Sequence, residues 1–156
     1  MQELIDIVYL NVEEDNNLEE IIHKVIEKCY EIKNIKGYIG ITLTDNENIS
    51  KFNREYRNID KETDVLSFPI MEKEELDNFK IDEDVVKQIM LGDIIISIPK
   101  VKEQAKEYGH SLEREFAYML VHAYCHLIGY DHIQEEDKII MRQEEENILN
   151  KLKITR

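Results

Sequence analysis

Three of the five histidines of this chain, His122, His126 and His132, fall within eleven residues. His122 and His126 are four residues apart, so on a helix their imidazoles lie on one face and both can reach a single ion. Gly129 can adopt the left-handed conformation that ends a helix, which lets the chain turn back and bring His132 to the same point. Three neutral imidazoles leave the fourth tetrahedral position open for water, an arrangement typical of catalytic zinc sites. We therefore predict one Zn2+ per chain, bound by these three side chains.

The residues between the histidines limit the reactions that such a metal site could catalyse. The spacing equals that of the metzincin peptidases, His-Glu-x-x-His-x-x-Gly-x-x-His. The glutamate after the first histidine of that motif is the general base, and here its position is Ala123, which cannot transfer a proton. A metallopeptidase is therefore disfavoured. Cys125 is interpreted as a small buried apolar residue, with zinc ligation as the minority alternative. His23 and His110 are interpreted as packed or surface residues.

Length, charge and cysteine content set outer bounds on the function. The 156 residues are expected to form one domain, residues 1–156, with a core of its own. Two cysteines give no disulfide framework, which favours a cytoplasmic location. Neither a signal peptide nor an apolar stretch of about 18 residues is visible, so no membrane partner is expected. The net charge of −14 argues against broad, nonspecific nucleic-acid binding, and we predict no DNA partner.

Hydrophobic periodicity predicts the elements that position the histidines. Mixed α and β structure is expected without repeats, and the acidic segment 72–84 is interpreted as a solvated loop. The strand at 91–97 lacks clean alternation and should be central, whereas Pro69 favours an edge position or a strand end. Strands are predicted at 4–10, 38–43, 63–68 and 91–97, and helices at about 17–33, from the Asp45 cap to about Arg57, and at 99–108, 111–128 and 134–152.

The helix at 111–128 is predicted to carry the metal ligands on a rigid, packed element. Residues of its core stripe and of an adjoining face recur at intervals of three and four residues. The adjoining face should open toward a cleft. The core stripe comprises Leu112, Phe116, Leu120, Ala123 and Leu127, and the adjoining face comprises Met119, His122 and His126.

The short helix before Arg57 combines a predicted inner face with a small basic strip. The inner face comprises Ile49, Phe52 and Tyr56. The basic strip comprises Lys51, Arg54 and Arg57, and we interpret Lys51 and Arg54 as a solvated face. Arg57 differs because it leads directly into the strand at 63–68. If that segment borders the metal cleft, its guanidinium can bind phosphate oxygens in a forked geometry that lysine cannot supply.

Three blocks of the chain together resemble one known family. HAYCHLIGYDH at 122–132 resembles the His-Gly-x-Leu-His-Leu-x-Gly-Tyr-Asp-His signature of the YbeY family of bacterial rRNA maturation factors and endoribonucleases. NREYR at 53–57 with TDVLSFP at 63–69 resembles the second family block, and LGDIIIS at 91–97 resembles the third. The blocks occur in the family's order, and the resemblance covers essentially the whole chain from the first strand onward. Ala123 and Cys125 replace the usual glycine and leucine, and neither change removes a ligand.

The resemblance implies a fold and an activity. The fold is α+β and related to metzincins, a single domain with a small mixed four-stranded sheet, a metal-bearing helix and a cleft between them. The activity is single-strand-specific, zinc-dependent endoribonuclease cleavage in 16S rRNA 3′-end maturation and ribosome quality control. By carry-over, His122, His126 and His132 bind zinc, and Arg57 and His122 are catalytic. The implied partners are rRNA and the small ribosomal subunit, with a ribosome-associated GTPase as a candidate helper.

Alternatives to this function stay open at the level of sequence. A non-catalytic ribosome assembly factor with a structural zinc fits the acidic charge and the missing base, and a metallopeptidase is disfavoured by Ala123. The general base is unassigned. Asp131 can act as that base, orient an imidazole or cap the turn, and we favour one of the two structural roles.

Overall fold

The computed structural model describes residues 4–59, 63–70 and 90–154, so the acidic segment interpreted as a loop lies outside the described residues. Four described strands form one sheet in the order β1-β2-β4-β3. These strands are β1 (Ile5–Tyr9), β2 (Tyr38–Thr44), β3 (Val65–Pro69) and β4 (Met90–Ser97). β1, β2 and β4 run parallel, and β3 pairs antiparallel with β4. The predicted four-stranded mixed sheet is confirmed, with β4 central and Pro69 ending an edge strand.

Five helices in the described part of the chain have the predicted order and nearly the predicted ends. They are α1 (Asn16–Lys33), α2 (Asn46–Arg57), α3 (Ile98–Tyr108), α4 (Leu112–Leu127) and α5 (Glu135–Lys151). Asp45 and Ser111 cap α2 and α4 by accepting backbone N–H bonds from Asn48 and Arg114. Gly109, at φ 70°, ends α3.

Alternating side chains of β4 divide the interior between the two faces of the sheet. Ile94 and Ile96 point into the main core, which α1 and α4 cover, whereas Ile95 joins Leu66 of β3 and Ile49 of α2 in a second, smaller cluster. α2 therefore covers the opposite face from α4. No helix among the described residues is long and apolar enough to cross a membrane.

Two expected core positions differ from the structure. Phe116, Leu120, Ala123 and Leu127 of α4 are buried as predicted, but Leu112, in the first turn, is only half-buried. Tyr56, predicted on the inner face of α2, is 65% exposed. The second, smaller cluster does not extend to the last turn of α2. The Tyr56 ring therefore contacts the rings of Phe52 and Phe68 but is not buried beneath them.

Candidate metal centre

The end of α4 reverses the chain as the glycine predicts. The N–H of Gly129 donates to the carbonyl of His126 at 3.2 Å, and the N–H of Tyr130 donates to the carbonyl of Cys125 at 3.0 Å. Gly129 has φ 104°, a conformation that side chains rarely adopt. The turn closes the last helical residues and directs the following segment, which contains His132, back over α4.

This reversal brings the three predicted ligands together. The ring centroids of His122 and His126 are 4.7 Å apart, those of His126 and His132 are 4.9 Å apart, and those of His122 and His132 are 5.6 Å apart. One ring nitrogen from each lies within 4.8 Å of the others. Tetrahedral zinc with bonds of 2.0–2.1 Å requires nitrogens about 3.3 Å apart. Small ring rotations close that difference, so the donor set fits a borderline-soft divalent cation.

A buried carboxylate fixes the orientation of the first imidazole. Nδ1 of His122 lies 2.6 Å from Oε2 of Glu145, on α5, whose side chain is buried. A carboxylate accepts and does not donate, so the proton lies on Nδ1 and the Nε2 lone pair is directed to the metal position. The Tyr118 ring stacks on the other side of His122, with the centroids 6.1 Å apart.

The second imidazole is held by the turn itself. Nδ1 of His126 donates to the carbonyl oxygen of Tyr130 at 3.0 Å, which again leaves Nε2 as the ligand atom. Burial, followed by the neighbouring His122 and His132, lowers the pKa of His126 to about 4. The ring is therefore neutral near pH 7 before any cation binds, which is the protonation state that a metal ligand requires.

Lys33, in the last turn of α1, anchors the same turn from the other side. Its ammonium donates to the Tyr130 hydroxyl at 2.9 Å and to Glu144 at 2.7 Å, and it lies 5.1 Å from the centroid of the Tyr130 ring. Lys33 thus connects α1, the α4–α5 turn and α5 at one point. Tyr130 therefore supports His126 through its carbonyl and is held in place through its ring and hydroxyl.

The remaining sequence candidates lie outside this group. Cys125 is fully buried, and burial raises the pKa of its thiol well above the ordinary value, so a thiolate ligand is unfavourable there. His23 lies on α1, and His110 lies 4.0 Å from Glu115 at the start of α4. Asp131 is exposed, and its Oδ1 accepts a hydrogen bond from the N–H of Ile133 at 3.2 Å. That contact caps the turn.

The structure places Arg57 at the outer edge of β3. The backbone groups of Asp64 and Ile70 hydrogen-bond to β4. Hydrogen-bonded positions alternate along an antiparallel pair, and Ser67 is three residues from each of these two. The carbonyl of Ser67 therefore points away from β4. The Arg57 guanidinium donates to that carbonyl at 3.0 Å and lies 5.6 Å from the centroid of the Phe68 ring. Arg57 is thereby fixed beside the open strand edge.

The end of β3 meets the end of α4 at Gly92. A Cβ built on Gly92 would lie 2.2 Å from the Phe68 carbonyl oxygen and 2.9 Å from Cδ2 of Leu127, the residue after His126. Only a glycine allows this approach. The end of the edge strand β3 and the end of α4, the helix that holds His122 and His126, therefore converge at Gly92.

Comparison with known proteins assigns this arrangement to a family. A family model described as Endoribonuclease YbeY matches residues 8–153. The chain belongs to the YbeY family. The Endoribonuclease YbeY of Caldicellulosiruptor bescii is 46% identical, with 94% of this chain and 96% of that protein covered. The Endoribonuclease YbeY of a Thermoanaerobacter species is 46% identical over 90% of this chain and 91% of that protein.

A solved structure shows the same fold. The solution structure of TM1509 from Thermotoga maritima has a TM-score of 0.56 and 26% sequence identity, and the alignment covers 94% of this chain and 91% of that one. The prediction of a YbeY-family chain with an α+β fold is confirmed.

Sequence reasoning missed Glu145 and Lys33, although each left a signal. Glu145 lies four residues after Met141 and three and four residues before Ile148 and Leu149, all buried residues of α5. An acidic residue on the apolar stripe of a helix requires a partner, and a ligating histidine is a suitable one. Lys33 left a weaker signal, as the basic residue in the last turn of α1.

Proposed function

We propose that this chain is a single-domain, zinc-dependent endoribonuclease that cuts single-stranded RNA during 16S rRNA 3′-end maturation and ribosome quality control. The observation that carries the proposal is the convergence of His122, His126 and His132, with Nδ1 of two of the rings already bonded to protein acceptors. The names of the curated relatives support the endoribonuclease activity. Zinc is the cation that best suits three imidazoles with an open position.

In the proposed reaction, the protein's own residues orient the metal-binding imidazoles and supply a positive charge for the phosphate. When bound, the cation supplies Lewis acidity toward water and toward a phosphoryl oxygen. Glu145 holds His122 in one tautomer, and the Tyr130 carbonyl does the same for His126. His122 is assigned a catalytic role because its Nε2 would hold the cation at the reacting centre. Ala123 is buried beside these ligands and offers no base of the peptidase kind, which supports a nuclease over a peptidase.

Arg57 is the proposed phosphate-binding residue. Its guanidinium is oriented by the Ser67 carbonyl and the Phe68 ring at the open edge of β3, and donors remain for a phosphate. Such a fixed cation stabilises negative charge that develops on the phosphate during cleavage. We assign Asp131 the turn-capping role that its bond to Ile133 supports. The substrate partner is rRNA in the small ribosomal subunit, with a ribosome-associated GTPase as a candidate helper in the cytoplasm.

The decisive experiment is cleavage of precursor 16S rRNA in immature small subunits. The proteins compared are the wild type, His126→Ala and the matched control His23→Ala, each with and without added zinc. We expect 3′-end cutting by the wild type and by His23→Ala, and a loss of at least a hundredfold in His126→Ala while its fold survives, since removing one of three ligands removes the cation.

Two other outcomes would contradict the proposal. If none of the proteins cuts the RNA and all of them still bind the subunit, the chain is an assembly factor and its zinc is structural. If a casein-like substrate is hydrolysed and that activity disappears in His126→Ala, the chain is a metallopeptidase.

A further inference from the structure

Tyr56, at the end of α2, is a large aromatic residue that the fold leaves 65% exposed. Its ring stacks on Phe52, with the centroids 6.2 Å apart and the planes 14° apart, and meets the Phe68 ring edge-on at 5.5 Å. Phe52 and Phe68 in turn pack against the small core cluster beneath α2. The exposed ring is therefore held from below, and little conformational entropy is lost when a flat ligand binds to it.

Positive charge lies directly beside this ring. The Arg57 guanidinium is 5.6 Å from the centroid of Phe68, so Tyr56 and Arg57 contact the same phenyl ring. Arg54, one turn earlier on α2, is also exposed. In a chain of net charge −14, exposed cations next to an exposed aromatic ring favour a ligand that is both anionic and flat. A nucleotide strand has both properties.

The same end of α2 lies against the edge strand β3. Arg57 bonds the outward carbonyl of Ser67, and the neighbouring Phe68 carbonyl meets Leu127 across Gly92. A phosphate at Arg57 places an adjoining base within reach of the Tyr56 ring.

We propose that Tyr56 is a stacking platform for a nucleobase of the single-stranded RNA substrate. The inference rests on the proposed endoribonuclease function and adds a basis for its strand preference. The bases of a duplex are already stacked and paired, so only an unpaired base can lie on the platform. Stacking on an aromatic ring is tolerant of sequence because every base has a flat π-face.

Steady-state cleavage of an unstructured RNA tests the platform through KM. We expect Tyr56→Ala to raise KM about tenfold with kcat nearly unchanged, and Tyr56→Phe to match the wild type, because the ring and not the hydroxyl makes the contact. The matched control is Tyr108→Ala, since Tyr108 is 53% exposed at the end of α3. An unchanged KM in Tyr56→Ala, or a loss in Tyr56→Phe equal to that in Tyr56→Ala, would overturn the inference.

A binding assay decides the question without cleavage. The chain contains no tryptophan, so Tyr56→Trp introduces a single tryptophan at the platform and Tyr108→Trp introduces one at the control site, and each can be excited selectively over tyrosine. The probe is a short 2′-O-methyl oligoadenylate, checked to remain intact, and the control probe is an abasic strand with the same number of phosphates. We expect saturable quenching only for Tyr56→Trp with oligoadenylate. Equal quenching by the abasic strand, or equal quenching at both sites, would overturn the platform.

The two assays separate this inference from the proposed function. Cleavage by the wild type without quenching in Tyr56→Trp would refute the platform and leave the nuclease intact. Quenching without any cleavage would refute the nuclease and leave a single-strand-binding surface on α2. Quenching of Tyr56→Trp by an acidic peptide and not by oligoadenylate would replace RNA with a protein partner and overturn the proposal.

Discussion

At the scale of single residues, the metal centre depends on side chains that hold the ligands as well as on the ligands. Glu145 is the clearest case, because its buried carboxylate accepts the Nδ1 proton of His122 at 2.6 Å. Without that acceptor, the His122 ring can rotate, and its proton can move to the nitrogen that must bind the cation. Its neighbour Glu146, in contrast, is exposed to solvent.

We therefore expect Glu145→Ala to weaken zinc binding by about 10–100-fold. Glu145→Gln should lose less, because its amide oxygen still accepts the proton although the charge is gone. Competition with a chromophoric chelator measures the affinity, and Glu146→Ala is the matched control. Far-ultraviolet circular dichroism of the metal-free variants shows whether the fold is intact. Equal zinc affinity in Glu145→Ala and Glu146→Ala would rule out the orienting role.

The sequence indicated the three candidate ligands but not the residues that hold them in place, and the reason is physical. The spacing of His122, His126 and His132 is local, and the helix period with one glycine turn determines where those rings meet. The partner of His122 lies 23 residues away along the chain, on a helix whose neighbouring positions are also acidic. The apolar stripe of α5 marks Glu145 as a residue that needs a partner, but only the packing of α5 on α4 shows that the partner is His122.

At the scale of helices and strands, features set by local sequence signals were predictable, whereas features set by packing were not. Strand and helix ends were predicted within about two residues because the signals are local, such as the caps Asp45 and Ser111 and the turn at Gly109. The exposure of Tyr56 was not predictable from the period of α2. It depends on where the small cluster beneath the helix ends, which is a property of the sheet.

The junction of β3, β4 and α4 at Gly92 gives an element-scale prediction. Gly92 has φ 146°, and an added Cβ would overlap the Phe68 carbonyl and crowd Leu127. We expect Gly92→Ala to lower the free energy of unfolding by about 3 kcal/mol or more. Gly109→Ala, at φ 70° with no atom within 4 Å of the added Cβ, should cost about 1 kcal/mol. Urea denaturation of the two variants measures both values, and equal costs would show that β3 and α4 do not depend on this contact.

At the scale of the whole molecule, the acidic surface and the RNA substrate have to be reconciled. A net charge of −14 repels a phosphate backbone at long range, so attraction must come from a small region at short range. The exposed basic strip of α2, Lys51, Arg54 and Arg57, is such a region. We therefore expect the protein to bind weakly to RNA in general and to prefer an unpaired strand that reaches this region.

The salt dependence of RNA binding tests this interpretation of the whole charge distribution. Each phosphate neutralised on a single strand contributes about −0.7 to the slope of log K against log salt, so three cations predict a slope of about −2. Arg57→Gln should make the slope shallower by about 0.7. Lys28→Gln should leave it unchanged, because Lys28 lies on α1, across the sheet from α2. The measurement is fluorescence anisotropy of a labelled 2′-O-methyl strand over a series of salt concentrations. A slope of about −5 or steeper would contradict the model of one small basic region, because it requires phosphate contacts well beyond α2.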